Sequence, residues 1–598
     1  MKTSTKKYRV VSSASSLQKA LKAVESPCAL DFETTSLVPS EGRVRLVSLT
    51  NAKTRLLVDF DQIPGGWRKV AHLFRRHEWI VFNAGFEGRW FIDAGVPKPR
   101  LLDVGYLRRA ILGGGGFSLA RMALWDLNEE ISKEQQASNW SSPVLAQEQL
   151  DYAYGDADVT WRLWRYWADQ IDEGQWDGFR MLNDMWPAVV EMEEAGIRLN
   201  QRTHATLCQS WEQKRLNFIS IIRELVPENE VKNINSDTQW SDYFAARMTD
   251  SWLKAWPRTE KTGQLSMKAE TLRTLGAKVP DSPLGMFFDT LADYKTISKY
   301  ISSFGRSLIT IAKLGDGRIH ARYNIGQAKT CRFSSSGPNV QQIPRDKDLL
   351  GVATSVRRSF IAPKGFKLIS LDYSGIELRV LALLSGDEQL LHDVIYGDVH
   401  AEVASVIAGK KINKKTAKGK ALRSGAKKVS FGIIYGAGAT GIATSMKTTL
   451  SKAGDYIDQW EERYSLAYNY RYKIMEEVER TRYVRMIDGG TVYMGKRPDL
   501  PKCANYPVQR AALSVMAKAI ARHKTSLNQM RKHGAQAETR MLATIHDALI
   551  DEARAKDAAE CLEVMRFDMV QGYADVFPDA PTDNLVEGGT GPNWGSLD

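Results

Sequence analysis

Four side chains in the second half of the chain recur at a fixed interval: Arg423, Lys427, Phe431 and Tyr435, with Gly436 directly after. On an α-helix each step of four overshoots a turn by about 40°, so they form one slanting stripe about 18 Å long, two cations at one end and two rings at the other. A nucleoside triphosphate has the same polarity, anionic phosphates at one end and a flat base at the other. Near the start, Asp31-Phe-Glu33 places two carboxylates on one face of a strand. Like charges that close are costly unless a cation binds between them. Tyr152 and Asp156, four apart, put a phenol and a third acid on one helix face, and Asn83-Ala-Gly-Phe-Glu87 offers a further acid. Later, Asp372 ends the apolar run 366–371, and Asp547 sits in a His546-Asp547 turn between the runs 541–545 and 548–551. Each pattern alone is also that of an ordinary surface pair, turn residue or amphipathic core helix; their number and order decide otherwise.

The elements that must hold these residues are legible from periodicity. Residues 28–32, 44–50, 56–60 and 79–82 are short apolar or alternating runs interrupted by helical patterns, which predicts an α/β domain on a mixed sheet. From about residue 181 the pattern turns mostly helical. The run 366–371 leads from a strand into a helix, and 541–551 reads as two short strands folded about the His-Asp turn. With 598 residues the chain is too long for one core. Five cysteines lie far apart, so neither a disulfide framework nor a cysteine zinc site is expected. A net charge of +12 favours a polyanionic partner, and residues 410–428 hold nine Lys/Arg and no acid immediately ahead of the stripe. The uncharged stretch 429–446 is too rich in Gly, Ser and Thr for a membrane span. The basic, acid-free first 24 residues are read as a strand and a helix of the fold, not as a transit peptide.

The string Arg423-x3-Lys427-x7-Tyr435-Gly436 with Phe431 between resembles motif B of the family A (Pol I-like) DNA polymerases. Asp372-Tyr373-Ser-Gly-Ile-Glu377 resembles motif A, and His546-Asp547 motif C. Asp31-x-Glu33, Asn83-x3-Glu87 and Tyr152-x3-Asp156 resemble the three motifs of DEDDy 3′–5′ proofreading exonucleases. Thr330-Cys-Arg332, the run 338–344 and the C-terminal Gly591-Pro-Asn-Trp594 extend the likeness over nearly the whole chain. The resemblance implies an α/β and α+β multidomain fold. Residues 1–175 would form an RNase H-like exonuclease domain. Residues 176–598 would form a right-hand polymerase domain, with thumb at about 181–315, palm at about 316–400 and 530–598, and fingers at about 401–529.

The resemblance also implies roles. Two divalent ions per active site, Mg2+ with Mn2+ as substitute, suit hard oxygen ligands. Asp372, Asp547 and the Tyr373 backbone carbonyl would hold them in the polymerase; Asp31, Glu33, Glu87 and Asp156 would do so in the exonuclease, where Tyr152 and Glu33 orient the attacking water. Lys427, Arg423 and His400 would face the triphosphate, Phe431 and Tyr435 the sugar and base. Glu377 would close the space of a ribose 2′-hydroxyl. Arg332, Gln341, Asn505, Gln509 and His546 would contact primer and template, and Lys261 and Lys268 are phosphate candidates in the thumb. Five positions depart from the family pattern: Glu87 where Asp is usual, Gly375 for Gln, Arg510 for Gly, Ala548 for Glu and Pro501 for Arg. The first bears on exonuclease strength, the others on minor-groove sensing and fidelity.

The expected function is template-directed addition of dNTPs to a primer 3′-hydroxyl, with proofreading. Because Asp31 lies so near the start, no preceding 5′-nuclease domain is expected, which suggests a bacteriophage replicative enzyme in the host bacterial cytoplasm. Its expected partners are primer-template DNA, a phage helicase-primase and a single-stranded DNA-binding protein, with no processivity-factor loop in the thumb. The alternatives are a bacterial repair-type polymerase without a 5′-nuclease domain, a single-subunit RNA polymerase, and a catalytically inactive DNA-binding scaffold.

Overall fold

A computed structural model describes residues 8–597, apart from 346–347, 350–351, 354–355, 447 and 533–537 and the side chains of 348–349 and 352–353. Its first unit is a six-stranded mixed sheet of β1 (Arg9–Val11), β2 (Cys28–Thr34), β3 (Val44–Thr50), β4 (Arg55–Asp59), β5 (Glu78–Val81) and β6 (Arg100–Asp103). The order is β1-β4-β3-β2-β5-β6. β2 runs antiparallel to β3 and parallel to β5. The sequence runs at 28, 44, 56 and 79 appear as β2 to β5. β6 was not read from the sequence because its four residues, Arg-Leu-Leu-Asp, are too short to show a period. Helices α1 (Ala84–Asp93) and α2 (Gln147–Ala168) bring Glu87, Tyr152 and Asp156 toward β2.

Helix α3 (Trp186–Ala195) joins this unit to the rest. Trp186 and Val190 complete the apolar core of the first sheet, and the Trp186 ring lies so close to α1 that a Cβ on Gly88 would come within 2.2 Å of it. Its other face packs on the C-terminal sheet, where Glu191 accepts a hydrogen bond from the Met541 amide. Residues 222–294 build a separate core around Trp240, Phe244, Trp256 and Phe288, spanned by the helices α4 (Gln201–Leu225) and α5 (Pro283–Phe304). Lys261 and Lys268 are exposed there.

The second sheet is built from β7 (Phe366–Tyr373), β10 (Arg540–Ile545), β11 (Ala548–Arg554) and β12 (Val586–Gly591), antiparallel in the order β10-β11-β7-β12. A hairpin of β8 (Tyr483–Arg485) and β9 (Thr491–Tyr493) stands apart. Behind the sheet pack the helices α9 (Tyr506–Lys532) and α10 (Ala558–Ala574); α6 (Ile376–Ser385) follows β7, and α7 (Val399–Ile407) leads to α8 (Ala417–Ile434), which carries the stripe. All five cysteines are free and buried. Among the described residues, no helix is long and apolar enough to cross a membrane.

Candidate active sites

In the second sheet, register places Asp372 of β7 opposite Ala548 of β11 on one side and Glu587 of β12 on the other. Directly opposed residues share a face, so the three open onto the same cleft. Asp547, in the turn before β11, is tied in by its carbonyl, which accepts from the Tyr373 amide at 3.1 Å. His546 adopts φ 56°, the left-handed conformation that lets a two-residue turn reverse the chain. The cleft has a volume of about 910 Å3. Its walls bring together Arg332, Gln341, Asp372, Tyr373, Glu377, Phe431, Tyr435, His546 and Asp547 of the expected site.

Burial, Asp547 and Glu587 raise the Asp372 carboxyl while Arg345 opposes them, leaving it at about 6. Asp547 is raised as well, chiefly by burial. The Arg345 guanidinium lies 3.0 Å from Asp372. Glu377, buried at the start of α6, is paired with Arg332 and accepts from the Tyr435 hydroxyl at 2.8 Å. Arg332 therefore holds a carboxylate here while lining the path expected for DNA. The Tyr373 hydroxyl points into the core and donates to the Met569 carbonyl at 2.6 Å, so only its backbone faces Asp547.

The stripe on α8 divides. Phe431 and Tyr435 stack with ring centroids 6.3 Å apart and line the cleft. Arg423, Lys427 and His400 lie outside its walls. Arg423 stands about two turns from Phe431, where Asp398 holds it at 2.8 Å, and Lys427 is about one turn from that ring. Lys427 sits 5.6 Å over the Phe431 ring. His400 packs on the same ring, and burial together with Lys427 and Arg423 pushes it down to about 4, so it is neutral at ordinary pH. Gly436 takes φ 80°, and a Cβ there would meet the Pro501 carbonyl at 2.2 Å, which explains the glycine after the stripe.

Asn505 and Gln509, expected on DNA, also lie away from the cleft walls. Asn505 is buried with neither amide atom hydrogen-bonded, and Gln509 accepts from Thr330 at 3.2 Å. Two of the departures have structural explanations. Gly375 caps α6 at φ 60°, a conformation glycine takes without strain. Arg510 is buried and reaches Asp488 at 2.6 Å, bracing the β8–β9 hairpin instead of facing the cleft. That hairpin meets the first unit, where Thr491 donates to the Ile111 carbonyl. The glycine run 113–116 also packs here by its backbone: Gly114 and Gly115 donate to the carbonyls of Lys329 and Gly326.

In the first sheet, Asp31 and Glu33 stand on β2 beside Asp156 and Tyr152 of α2. Burial raises the Asp31 carboxyl, and Asp156 adds to it; Glu33 is raised by burial, Asp31 and Asp156 in turn. Glu87 is raised by burial and then by Asp31, and its Oε2 is buried without a hydrogen-bond partner. The four acids are thus electrostatic neighbours. Among the described residues, no three acidic, imidazole or thiol groups close into a metal cage. A residue that the motifs did not reveal lies among the acids: the Lys133 ammonium is 2.6 Å from Asp156 Oδ2 and 3.4 Å from the Tyr152 hydroxyl. The carboxylate sets of both sites fit hard divalent cations, which take few protein oxygens and complete their shells with water and phosphate. An unpartnered Glu87 oxygen and basic side chains on Asp156 and Asp372 mark where positive charge is needed.

Residues 202–596 match the family model described as DNA polymerase family A, and residues 8–172 the one described as 3′-5′ exonuclease. A DNA polymerase I from Rhizobium leguminosarum is 30% identical over 427 residues, 69% of this chain and 40% of that protein. A thermostable DNA polymerase I from Thermus aquaticus is 33% identical over 356 residues, 57% of this chain and 39% of that protein. The matched part of the chain spans about two fifths of the length of these relatives. A solved structure described as the POL domain of Pol1 from M. smegmatis, in complex with DNA primer-template and dNTP, has the same fold: TM-score 0.77, 20% identity and 98% of each chain covered. The chain belongs to DNA polymerase family A, with an exonuclease domain ahead of the polymerase domain.

Proposed function

We propose that the chain extends a primer 3′-hydroxyl with dNTPs on a DNA template and removes mispaired ends with its exonuclease domain. The observation that supports this reading best is the shared cleft: Asp372 and Asp547 on one wall, the locked Glu377 beside them, and the Phe431–Tyr435 stack as a lid. Asp372, Asp547 and the Tyr373 carbonyl would hold divalent ions, as would Asp31, Glu33, Glu87 and Asp156 in the other site; we assign Mg2+, with Mn2+ as substitute. When bound, such ions lower the pKa of an attacking oxygen and neutralise the leaving one. The protein's own groups do the rest. Phe431 and Tyr435 offer stacking faces to an incoming base. Glu377 excludes a 2′-hydroxyl, while Lys427 and Arg423 bring positive charge to the phosphate end. Arg332, from its place against Glu377, and Gln341, His546, Asn505 and Gln509 would contact primer and template. In the exonuclease, Tyr152 and Glu33 orient the water. The domain limits expected from the sequence are kept, with residues 1–175 as exonuclease and 176–598 as thumb, palm and fingers.

A bacterial DNA polymerase I-type role is supported by the named relatives; a bacteriophage replicative setting, with a helicase-primase and single-stranded DNA-binding protein, has no support among them. Asp547→Asn should abolish extension while retaining primer-template binding, and Asp31→Ala should abolish 3′–5′ degradation while retaining extension. A primer-template gel with Mg2+, with and without dNTPs, reads both. Normal extension by the first variant or normal digestion by the second would refute the corresponding site.

A further inference from the structure

Lys133 lies in the segment 128–146, between the helix Leu119–Leu127 and α2. The sequence flanks it with Glu130 and Glu134, yet its ion pair is with Asp156, 23 residues away. The segment is not a loose strap. Glu129 pairs with Arg162 of α2, Gln149 donates to Ser138 Oγ at 3.0 Å, Arg45 donates to the Pro143 carbonyl at 3.3 Å, and Trp140 is buried. Those anchors carry the Lys133 ammonium over the acid set, 5.2 Å from the centroid of the Tyr152 ring. Its side chain is 29% exposed and that of Asp156 12%, so the pair sits at the mouth of the site.

Four ionised acids around one point are costly unless a cation is near. We propose that Lys133 is the resident counter-cation of the exonuclease centre, and that a divalent ion takes Asp156 only by displacing it. Lys133 is thus a positioning residue that sets how strongly this centre binds metal. The displaced ammonium keeps the Tyr152 hydroxyl and ring as partners, so the exchange costs one ion pair and not the whole of its surroundings. The inference rests on the exonuclease reading proposed for this site.

The test uses the full chain carrying Asp372→Asn and Asp547→Asn, so that the exonuclease acids are the remaining carboxylate set. Mn2+ binding is followed by the electron paramagnetic resonance signal of the free ion. Lys133→Met should tighten binding about tenfold, which corresponds to about 1.4 kcal/mol, and Lys133→Arg should restore the parent affinity. In the chain with an intact polymerase site, Lys133→Met should lower the Mg2+ concentration that half-saturates excision by a similar factor, with the rate at saturating Mg2+ unchanged. Unchanged or weaker Mn2+ binding overturns the proposal, and so does a lower excision rate at saturating Mg2+, which would make Lys133 part of the loaded site. Lys133→Gln, checked by thermal melting, serves if the Met variant does not fold. Asp156→Ala separates the two readings: if it leaves Mn2+ binding intact, the exonuclease assignment itself fails, whereas if it abolishes binding and Lys133→Met has no effect, only the role of Lys133 fails.

Discussion

Glu377 offers the most direct test of sugar selection, because the structure shows how it is held. Its carboxylate is clamped from two sides, by the Arg332 guanidinium and by the Tyr435 hydroxyl at 2.8 and 3.1 Å. In the proposed role, a ribonucleotide 2′-hydroxyl against Glu377 would be accommodated only by moving the carboxylate, which breaks at least one of these contacts. A hydrogen bond to a charged group contributes about 1.5–3 kcal/mol, so each contact is worth about tenfold to a hundredfold in selectivity. Tyr435→Phe removes one contact and keeps the ring that stacks on Phe431. It should lower the deoxy-to-ribonucleotide ratio of kcat/KM about tenfold. Glu377→Ala removes the obstacle, and its effect should approach both contacts together, about a hundredfold or more. Single-nucleotide extension with matched dNTP and rNTP measures both ratios. The decisive quantity is the ratio and not the rate: an equal loss for both sugars would mean that Glu377 organises the cleft without reading the sugar, and an unchanged ratio in Glu377→Ala would refute the clamp argument.

His523 is fully buried between Asp551 at 2.7 Å and Asp568 at 2.9 Å; burial draws its pKa down, but the two carboxylates outweigh it and raise it to about 9. A pKa raised on folding stabilises fully below the ordinary value near 6.5 and is lost as pH rises through 9. The melting temperature should therefore fall between pH 7 and 9.5, and His523→Gln should flatten that slope and cost about 3–5 kcal/mol at pH 7 by leaving buried carboxylates unpaired. Because Asp372 stands at about 6 without metal, the Mg2+ concentration that half-saturates extension should rise steeply below pH 6, since a metal ligand must be deprotonated; a flat dependence from pH 7 to 5.5 would contradict this. Arg510→Gly, which restores the family's usual residue, should destabilise the chain by about 3 kcal/mol in urea unfolding by stranding Asp488, and hydrogen exchange should rise across the β8–β9 hairpin.

How much of this was legible in the sequence depends on what each residue must do. The strands β2 to β5, the Asp372 strand and the His-Asp turn announce themselves, because short apolar runs bounded by polar or turn residues write a pattern that a reader can see. The acids of the two clefts are legible because their type and spacing are fixed by the chemistry. Side chains whose task is only to supply charge at a distance left no such mark: Lys133, Arg345, Asp398 and Glu587 act across sheet registers or long loops, and any element that reaches would serve. Glu587 shows this well. Ala548, where the family has an acid, bears on minor-groove sensing in the sequence; in the fold β12 brings the Glu587 carboxylate to the opposite side of Asp372, a neighbour that only strand order reveals. On α8 the two rings of the stripe line the cleft, while Arg423, Lys427 and His400 do not, and Arg423 is held by Asp398. Arg510 was read as a change facing DNA; burial turns it into a brace.

The same electrostatic problem has been solved three times in this chain. Asp156 holds Lys133, Asp372 holds Arg345, and Glu377 holds Arg332, each an acid of a candidate site paired with a base from a segment outside its own motif. The pairing has a common cause: a half-buried cluster of acids destabilises the fold unless a cation is near. The consequence differs with exposure. Arg345 is 64% exposed and loses little when it swings to solvent, so its hold on Asp372 is weak and screened by salt. Lys133 is anchored by a braced segment and faces more acids, so its hold on Asp156 is the stronger. On the proposed reading, a metal entering the two centres would meet unequal competition, although both offer carboxylates of the same kind. These bases would then contribute to the balance between extension and excision at limiting Mg2+.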